Sequence, residues 1–571
     1  VGAARVFGLA ADVKEGSGRM PRADGTLEEA DYVIVGGGSA GAVLANRLSE
    51  DPATKVVLLE AGGEATSFLV QLPVGFLAML MREKYDWCYA ADPDPTLGGR
   101  SWVWSAGRML GGGSSLNAQV YIRGVRADFD EWADLGATGW GFNDVLPYFL
   151  RSEHWHGEPG QAHGSTGPLS VSPMRDPHPL CATFLAACRE IGLPTLDEYN
   201  DGAAFGAFMT QASQRDGWRC STEKGYLRPI RSRPNLRIVT GAEVDVVRVS
   251  GGRAVGVSMV RDGRRETIDA RREVLVCAGA MGSPALLMRS GIGPAADLRR
   301  QGVEVVLDAP GVGRNLQEHS ACSTSRLVSV STLNNETRPL DMARHFARFF
   351  WNRTGPLSAP AIQAMAFAKT DMTLARPDVQ LHFMPAVLGN GGDDSLTMVM
   401  GLPRCSAVSI NVSLCKPKGR GRVILDERRR PRVVHQALGD PRDVETLIAG
   451  LRMVDRLFET PALSAVVKGR FSPRHAPRAT EDWLAFLRDN LSITWHAAGT
   501  CRMGSDREAV VDPELRVRGI AGLRVADASV MPTTTSANTN AATIMIGERA
   551  AELIRLGPGS TRATVQHRVS A

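Results

Sequence analysis

The chain of 571 residues (61.3 kDa) is 43% hydrophobic and 22% charged, the balance of a folded protein too long for one simple core. Its 66 basic and 61 acidic side chains leave a net charge of only +5, too even for a nucleic-acid binder, and 428–432 reads as a solvated basic turn. Nine dispersed cysteines, an odd number without a C-x-x-C pair, argue against a disulfide framework and a zinc site and for a reducing compartment.

Residues 1–30 lack periodicity and read as an N-terminal extension; the chain begins with Val1, which leaves a removed targeting segment open. Tyr32 to Val35 is a short apolar run, expected to be a buried parallel strand, and Ala40 to Leu48 has helical character. Between them Gly36, Gly38 and Gly41 make G-x-G-x-x-G. Gly36 permits the tight turn, Gly38 lets backbone approach a pyrophosphate, and Gly41 lets helix pack on strand. The helix N-terminus offers free N–H groups to phosphates. Glu60 closes a second strand, where a carboxylate can accept from a ribose diol. Strand, helix, strand and acid together point to a dinucleotide without saying which.

Farther along, the apolar segment 68–81 is broken by Pro73 and is too short to span a membrane, so a substrate lid or a surface-dipping segment is expected. Residues 107–121 form a second glycine-serine loop. A helical stretch is expected over 127–155, with Phe129, Trp132, Val145, Leu146 and Phe149 as its apolar positions. Strands are expected at 237–239, 243–249 and 272–277, with a hairpin over 255–268 turning at Asp262-Gly263. A turn and helix follow to Gly293. From about 320 the pattern changes, and alternation in 379–384 and 407–415 predicts an antiparallel sheet. The helix 441–458, a last buried strand with its loop over 522–529 and a helix over 538–556, capped by Asn538 or Thr539, complete the order.

Four blocks together resemble the glucose–methanol–choline (GMC) flavoprotein oxidoreductases over about residues 30–558: the N-terminal fingerprint, Gly107 to Tyr121, Gly279 to Gly293, and Trp495 to Gly504 with Asp527 to Thr543. The nearest likeness is to the bacterial branch holding choline dehydrogenase and the aliphatic and polyether alcohol dehydrogenases. The resemblance implies an α/β fold: a Rossmann-like FAD-binding domain with an inserted α+β substrate domain on an antiparallel sheet. It divides the chain into FAD-binding parts at 31–155, 226–320 and 491–558, substrate parts at 156–225 and 321–490, and a tail at 559–571.

The resemblance also implies FAD rather than NAD on the fingerprint. It places the diphosphate against Gly36, Gly38, Ser39 and Gly41, and the adenosine ribose on Glu60 and Ala61. Adenine falls near Val244 and the flavin ring along Gly112, Ser115 and Asn117, with Arg108 in the same loop. Asp527 and Ala528 fall near the diphosphate and ribityl. Leu116 stands where some members carry the histidine that links FAD covalently, so dissociable FAD is expected. His496 is the implied base and Asn538 the partner of the substrate oxygen. Histidine suits that role because a neutral imidazole is available near pH 7. His382 alternates on a strand, as a packed residue or a pocket residue. Cys415 reads as a buried apolar residue, although fatty-acid photodecarboxylases of this family place a cysteine there. Lys84 to Trp87 resembles the lid.

The implied reaction is oxidation of a primary alcohol, with electrons passing to oxygen or a quinone-type acceptor. A lyase of the same fold, photodecarboxylase or hydroxynitrile lyase, is the alternative, and a non-catalytic flavin binder the third reading. The expected location is cytoplasmic or peripheral to a membrane, with no transmembrane segment. The oligomeric state is not readable.

Overall fold

The computed structural model describes residues 29–203, 205–388 and 403–557. Most of the expected extension 1–30 and the tail 559–571 therefore lie outside the described residues. Two seven-stranded sheets organise the rest.

In the first sheet the apolar runs behave as the sequence predicts. Ala30–Val35 lies parallel between Val56–Leu59 and the end of Arg264–Val276, and Leu236–Val239 and Leu523–Val525 extend the parallel part on either side. Ala30–Val35 and Val56–Leu59 are buried at every position, as a parallel sheet covered on both faces requires. The expected hairpin at Asp262-Gly263 is present, but its second strand does not end there. Arg264–Val276 is one strand that pairs antiparallel with Arg253–Arg261 over its first half and parallel with Ala30–Val35 over its second. The hairpin and the strand expected at 272–277 are thus one element.

The second sheet is antiparallel throughout, in the order Val467–Ser472, Ser320–Val328, Ala407–Leu414, Val379–Met384, Ala364–Ala368, Gly206–Met209, with Leu491–Ile493 pairing the start of Ser320–Val328. Side chains alternate across it with period two. Val379 and Val412 point to the back, where the helix Pro441–Glu459 approaches so closely that a Cβ on Gly450 would stand 3.3 Å from Val379 Cγ1. Asn411 and Ser409 take the opposite face.

The stretch 127–155 departs from expectation. Two helices, Arg126–Asp134 and Phe142–Ser152, are separated by a turn in which Gly136 and Gly139 adopt φ of +90° and +83°. The last three residues form a strand beside Leu169–Val171, because Glu153 pairs with the buried Arg123 at 2.6 Å. Phe129, Trp132, Val145 and Phe149 are fully buried, and Leu146 is partly so.

The C-terminal helix Thr539–Leu556 crosses the fingerprint helix Ser39–Leu48 at Gly547, where a Cβ would meet Val43 Cβ at 3.0 Å and Ala40 Cα at 3.1 Å. Buried Glu548 accepts from Arg47 (2.8 Å) and from the Tyr226 hydroxyl (2.8 Å), and pairs with Arg151 at 2.7 Å. Among the described residues no helix is long and apolar enough to cross a membrane.

A Cβ on Gly41 would collide with the carbonyl oxygen of Gly36 and press on Cys277 at 3.3 Å. Gly41→Ala should lower the urea unfolding midpoint by an amount equivalent to about 1–3 kcal/mol, the usual cost of overpacking. An unchanged midpoint would show that helix and strand can separate freely there.

Candidate active site

One cavity of about 610 Å³ runs between the two sheets and connects the fingerprint to the C-terminal block. Gly36, Gly38, Ser39, Glu60, Ala61, Gly112, Asn117, Val244, Asp527, Ala528, His496 and Asn538 all line it, although the chain separates them by up to about 500 residues.

At one end the helix Ser39–Leu48 presents its N-terminus. Its N-cap is Gly38, no side chain caps it, and its first turn carries no acidic residue, so its N–H groups and positive dipole end face the cavity. A Cβ on Gly112 would stand 2.7 Å from Gly38 Cα, so two glycine backbones meet where a larger residue would block the cradle. Glu60, fully buried, accepts from the N–H groups of Gly37 and Gly62, both at 2.8 Å; its burial still raises its pKa. Asp527 Oδ2 accepts from the Gly279 N–H (2.9 Å) and the Ser283 hydroxyl (2.6 Å), which ties the last strand to the helix Gly279–Arg289. A cavity of this length, with an uncapped helix end and a glycine cradle, fits an elongated dinucleotide such as FAD.

Three expected cofactor residues do not line the cavity. Gly41 packs helix on strand instead. The Ser115 hydroxyl is buried and donates to the Leu110 carbonyl, stabilising the loop from behind. Arg108 turns its guanidinium over the Trp87 ring at 4.9 Å and toward Glu243 at 3.7 Å. Leu116 does line the cavity.

The other end is a hydrogen-bonded row of imidazoles. His319 Nε2 lies 2.9 Å from the Thr535 carbonyl, which can only accept, so Nε2 carries the proton. Burial holds His319 down to a pKa of about 3, so the ring is neutral and its Nδ1 is bare. That bare nitrogen sits 3.0 Å from His496 Nδ1, which therefore carries the proton and donates. His496 is neutral as well: burial, then the neighbouring His319 and His382, push its pKa well below 6.5. Its Nε2 is thus left as a lone pair, 2.9 Å from the Asn538 amide nitrogen. The neighbours fix this orientation. Glu318 Oε1 accepts from the His496 backbone N–H (2.9 Å) and from the Thr494 hydroxyl (3.1 Å), and Thr494 Oγ1 lies 2.9 Å from His496 Nδ1. Burial raises the Glu318 pKa to about 7.

Asn538 occupies the N-cap position of the last helix, but its side chain makes no capping bond; it turns to His496 instead. The reading of Asn538 as a cap is corrected on that ground. Neither Glu318 nor His319 was singled out by sequence reasoning, and neither was Asn540, which lines the cavity and donates to Ser39 Oγ at 2.8 Å. The adjacent acid and histidine of Gln317-Glu318-His319 were the only sequence signal available.

The remaining candidates divide. His382 lines the cavity from the second sheet. Cys415 does not; it is fully buried among Val120, Ile122, Met365 and Phe367. The segment 68–81 folds into two short helices around a 3-10 turn, and Phe76 and Leu80 reach the cavity while Phe68 is exposed. Of Lys84 to Trp87, Trp87 lines the cavity and Tyr85 packs in the apolar cluster of Phe76, Met79 and Leu80.

Histidine-labelled protein should show His496 protonated on Nδ1 and His319 on Nε2 in long-range proton–nitrogen spectra, with no titration between about pH 6 and 8. A His496 midpoint near 6.5 would contradict the row.

Comparison with known proteins agrees with this geometry. Two family profiles, both described as GMC oxidoreductase, match residues 30–321 and 417–547. The chain is 36% identical to an oxygen-dependent choline dehydrogenase of Sinorhizobium medicae and 35% identical to an alcohol dehydrogenase [acceptor] of Pseudomonas putida, in each case covering 92% of this chain and 95% of the relative. Among solved structures it is similar to pyridoxine 4-oxidase from Mesorbium loti, with a TM-score of 0.84 and 31% identity over 93% of this chain and 100% of that one. The motifs, the cavity and these likenesses converge, and the chain belongs to the GMC oxidoreductase family of FAD-dependent flavoproteins.

Proposed function

We propose that this protein oxidises a primary alcohol to the aldehyde, with His496 taking the hydroxyl proton and Asn538 holding the oxygen. The observation that carries the reading is the bare Nε2 of His496 beside the Asn538 amide, in the same cavity as the glycine cradle. Gly36 to Ser39, Glu60, Gly112 and Asp527 would hold FAD, which would supply the hydride acceptor.

A free alkoxide is out of reach for this base. An alcohol about as weakly acidic as water, pKa ~15.7, stands roughly 9 units above an ordinary imidazole, which is on the order of 12 kcal/mol. Proton transfer to His496 must therefore accompany hydride loss, or the oxyanion must be stabilised as it forms. Asn538 Nδ2–H is placed to donate to that oxygen. The imidazolium left on His496 keeps its Nδ1–H on the bare Nδ1 of His319, and Glu318 lies behind it to oppose the new charge.

The FAD is held without a covalent link, because Leu116 at the cavity wall offers no atom for one. Electrons leave to oxygen or to a quinone-type acceptor. Cys415 supports no lyase reading, since it is walled off from the cavity by apolar side chains.

His496→Ala should lose about 10²–10⁴-fold in turnover, the usual worth of a positioned base, while retaining FAD. Near-normal turnover would remove His496 from the role. An anaerobic alcohol panel followed by flavin bleaching, with air then readmitted, reads substrate class and acceptor together; a flavin that no alcohol bleaches would sink the reading. Acid precipitation should release the flavin to the supernatant, and a yellow pellet would refute dissociable FAD.

A further inference from the structure

The two most exposed large apolar side chains among the described residues, Trp351 at 92% and Leu340 at 82%, sit on one helix, Pro339–Asn352. The inner face of that helix packs Met342, Phe346 and Phe349 against Leu72, Val74 and Leu357, which is reason enough for the helix to form. An ordinary surface helix is then polar on its other face. This one is not. Leu340, Ala343, Arg344, Ala347, Arg348 and Trp351 follow one another at three- and four-residue spacing, and all six are exposed. Leu340 and Trp351 mark the two ends of this face, about 16 Å apart along the axis.

The patch continues onto the segment 68–81. Phe350, 55% exposed, stacks on Phe68, 43% exposed, with ring centroids 6.1 Å apart. Phe76 and Leu80 of the same segment line the cavity.

The charges around the patch are mostly positive. Between residues 336 and 353 four arginines stand against Glu336 and Asp341. Glu336 turns to the buried His345 at 3.2 Å. Arg344 reaches Asp341 at the edge of the face (2.9 Å) and Arg348 reaches Asp176 (2.6 Å), exposed pairs that hold their cations only weakly. The outer face thus carries apolar tips and two cations, with no acid among its six residues.

That combination matches a surface that is apolar within and anionic at its rim. Tryptophan settles at the headgroup level of a bilayer, and arginine lays its stem on the apolar layer while its guanidinium reaches a lipid phosphate. A second copy of the chain packed on this face about a two-fold axis would instead set Arg344 and Arg348 against their own equivalents, a like-charge contact.

We propose that the outer face of the helix Pro339–Asn352, with Phe350 and Phe68, docks on an anionic lipid bilayer, the helix lying flat with Leu340 and Trp351 inserted among the headgroups. The segment 68–81, packed beneath that helix, then links the lipid surface to the cavity. The docking holds whichever substrate the site oxidises.

The test is sedimentation of the FAD-loaded enzyme with vesicles of mixed phosphatidylglycerol and phosphatidylcholine, and with vesicles of phosphatidylcholine alone. The enzyme should bind the anionic vesicles more tightly, and added salt should weaken that binding. Leu340→Ser with Trp351→Ser should bind about tenfold more weakly or worse, with an unchanged thermal unfolding midpoint because both side chains are exposed. Brominated acyl chains should quench part of the protein fluorescence, and Trp351→Phe should remove that part while binding persists. Absence of binding to the anionic vesicles, equal binding to both kinds, or full binding by the double serine variant would overturn the proposal. So would a dimer in analytical ultracentrifugation that the double serine variant dissociates, which would assign the face to a second copy.

Discussion

The crossing of the C-terminal helix over the fingerprint helix is the contact on which the site depends. Gly547 lets the two backbones approach Ala40 and Val43 closely, and Glu548 locks the crossing through Arg47, Arg151 and Tyr226. Such a buried carboxylate is tolerable only with its cations in place, since removing one partner leaves a charge stranded in low dielectric. With the crossing set, the N-terminal end of the last helix lies at the cavity. Asn540 bonds Ser39 at the fingerprint end, and Asn538 reaches His496 at the other. One helix therefore sets the spacing between the glycine cradle and His496.

The second constraint is neutrality. Three imidazoles, His319, His382 and His496, are buried close enough to influence one another, and burial drives each toward its uncharged form. Neutral rings must declare a tautomer, and a single carbonyl decides it: Thr535 takes the His319 proton, which obliges His496 to donate through Nδ1 and leaves Nε2 bare. The tautomer of His496 is thus settled two hydrogen bonds away. Glu318 adds a buried carboxyl, its pKa raised by burial to about 7, that accepts from the His496 backbone N–H.

Much of the fold was legible in the residues. Period-two and continuous apolar runs marked the strands at 32–35, 56–59, 379–384 and 407–414, because local pattern and burial agree there. The misread stretches fail for identifiable reasons. Helicity across 127–155 breaks at two left-handed glycines, and its last turn is diverted into a strand by the Arg123–Glu153 pair, whose members lie 30 residues apart. The strand Arg264–Val276 looked like two elements because its partners change from antiparallel to parallel midway. Asn538 reads locally as a cap, and only the approach of a residue 42 positions away reassigns its amide. Arg108 and Ser115 sat within a recognisable block, yet their side-chain directions follow from Trp87, Glu243 and Leu110, which no local pattern reports.

By itself the sequence determined the dinucleotide cradle, the two kinds of sheet and the residue types of the site, because glycine spacing, apolar periodicity and side-chain chemistry are local properties of the chain. Tertiary structure alone decided which of those residues share a cavity and in which protonation state. It turned the Asn538 amide from a cap to a partner of His496 and brought in Glu318, His319 and Asn540. Those outcomes depend on strand register, helix crossing and burial, which are set by contacts between segments hundreds of residues apart.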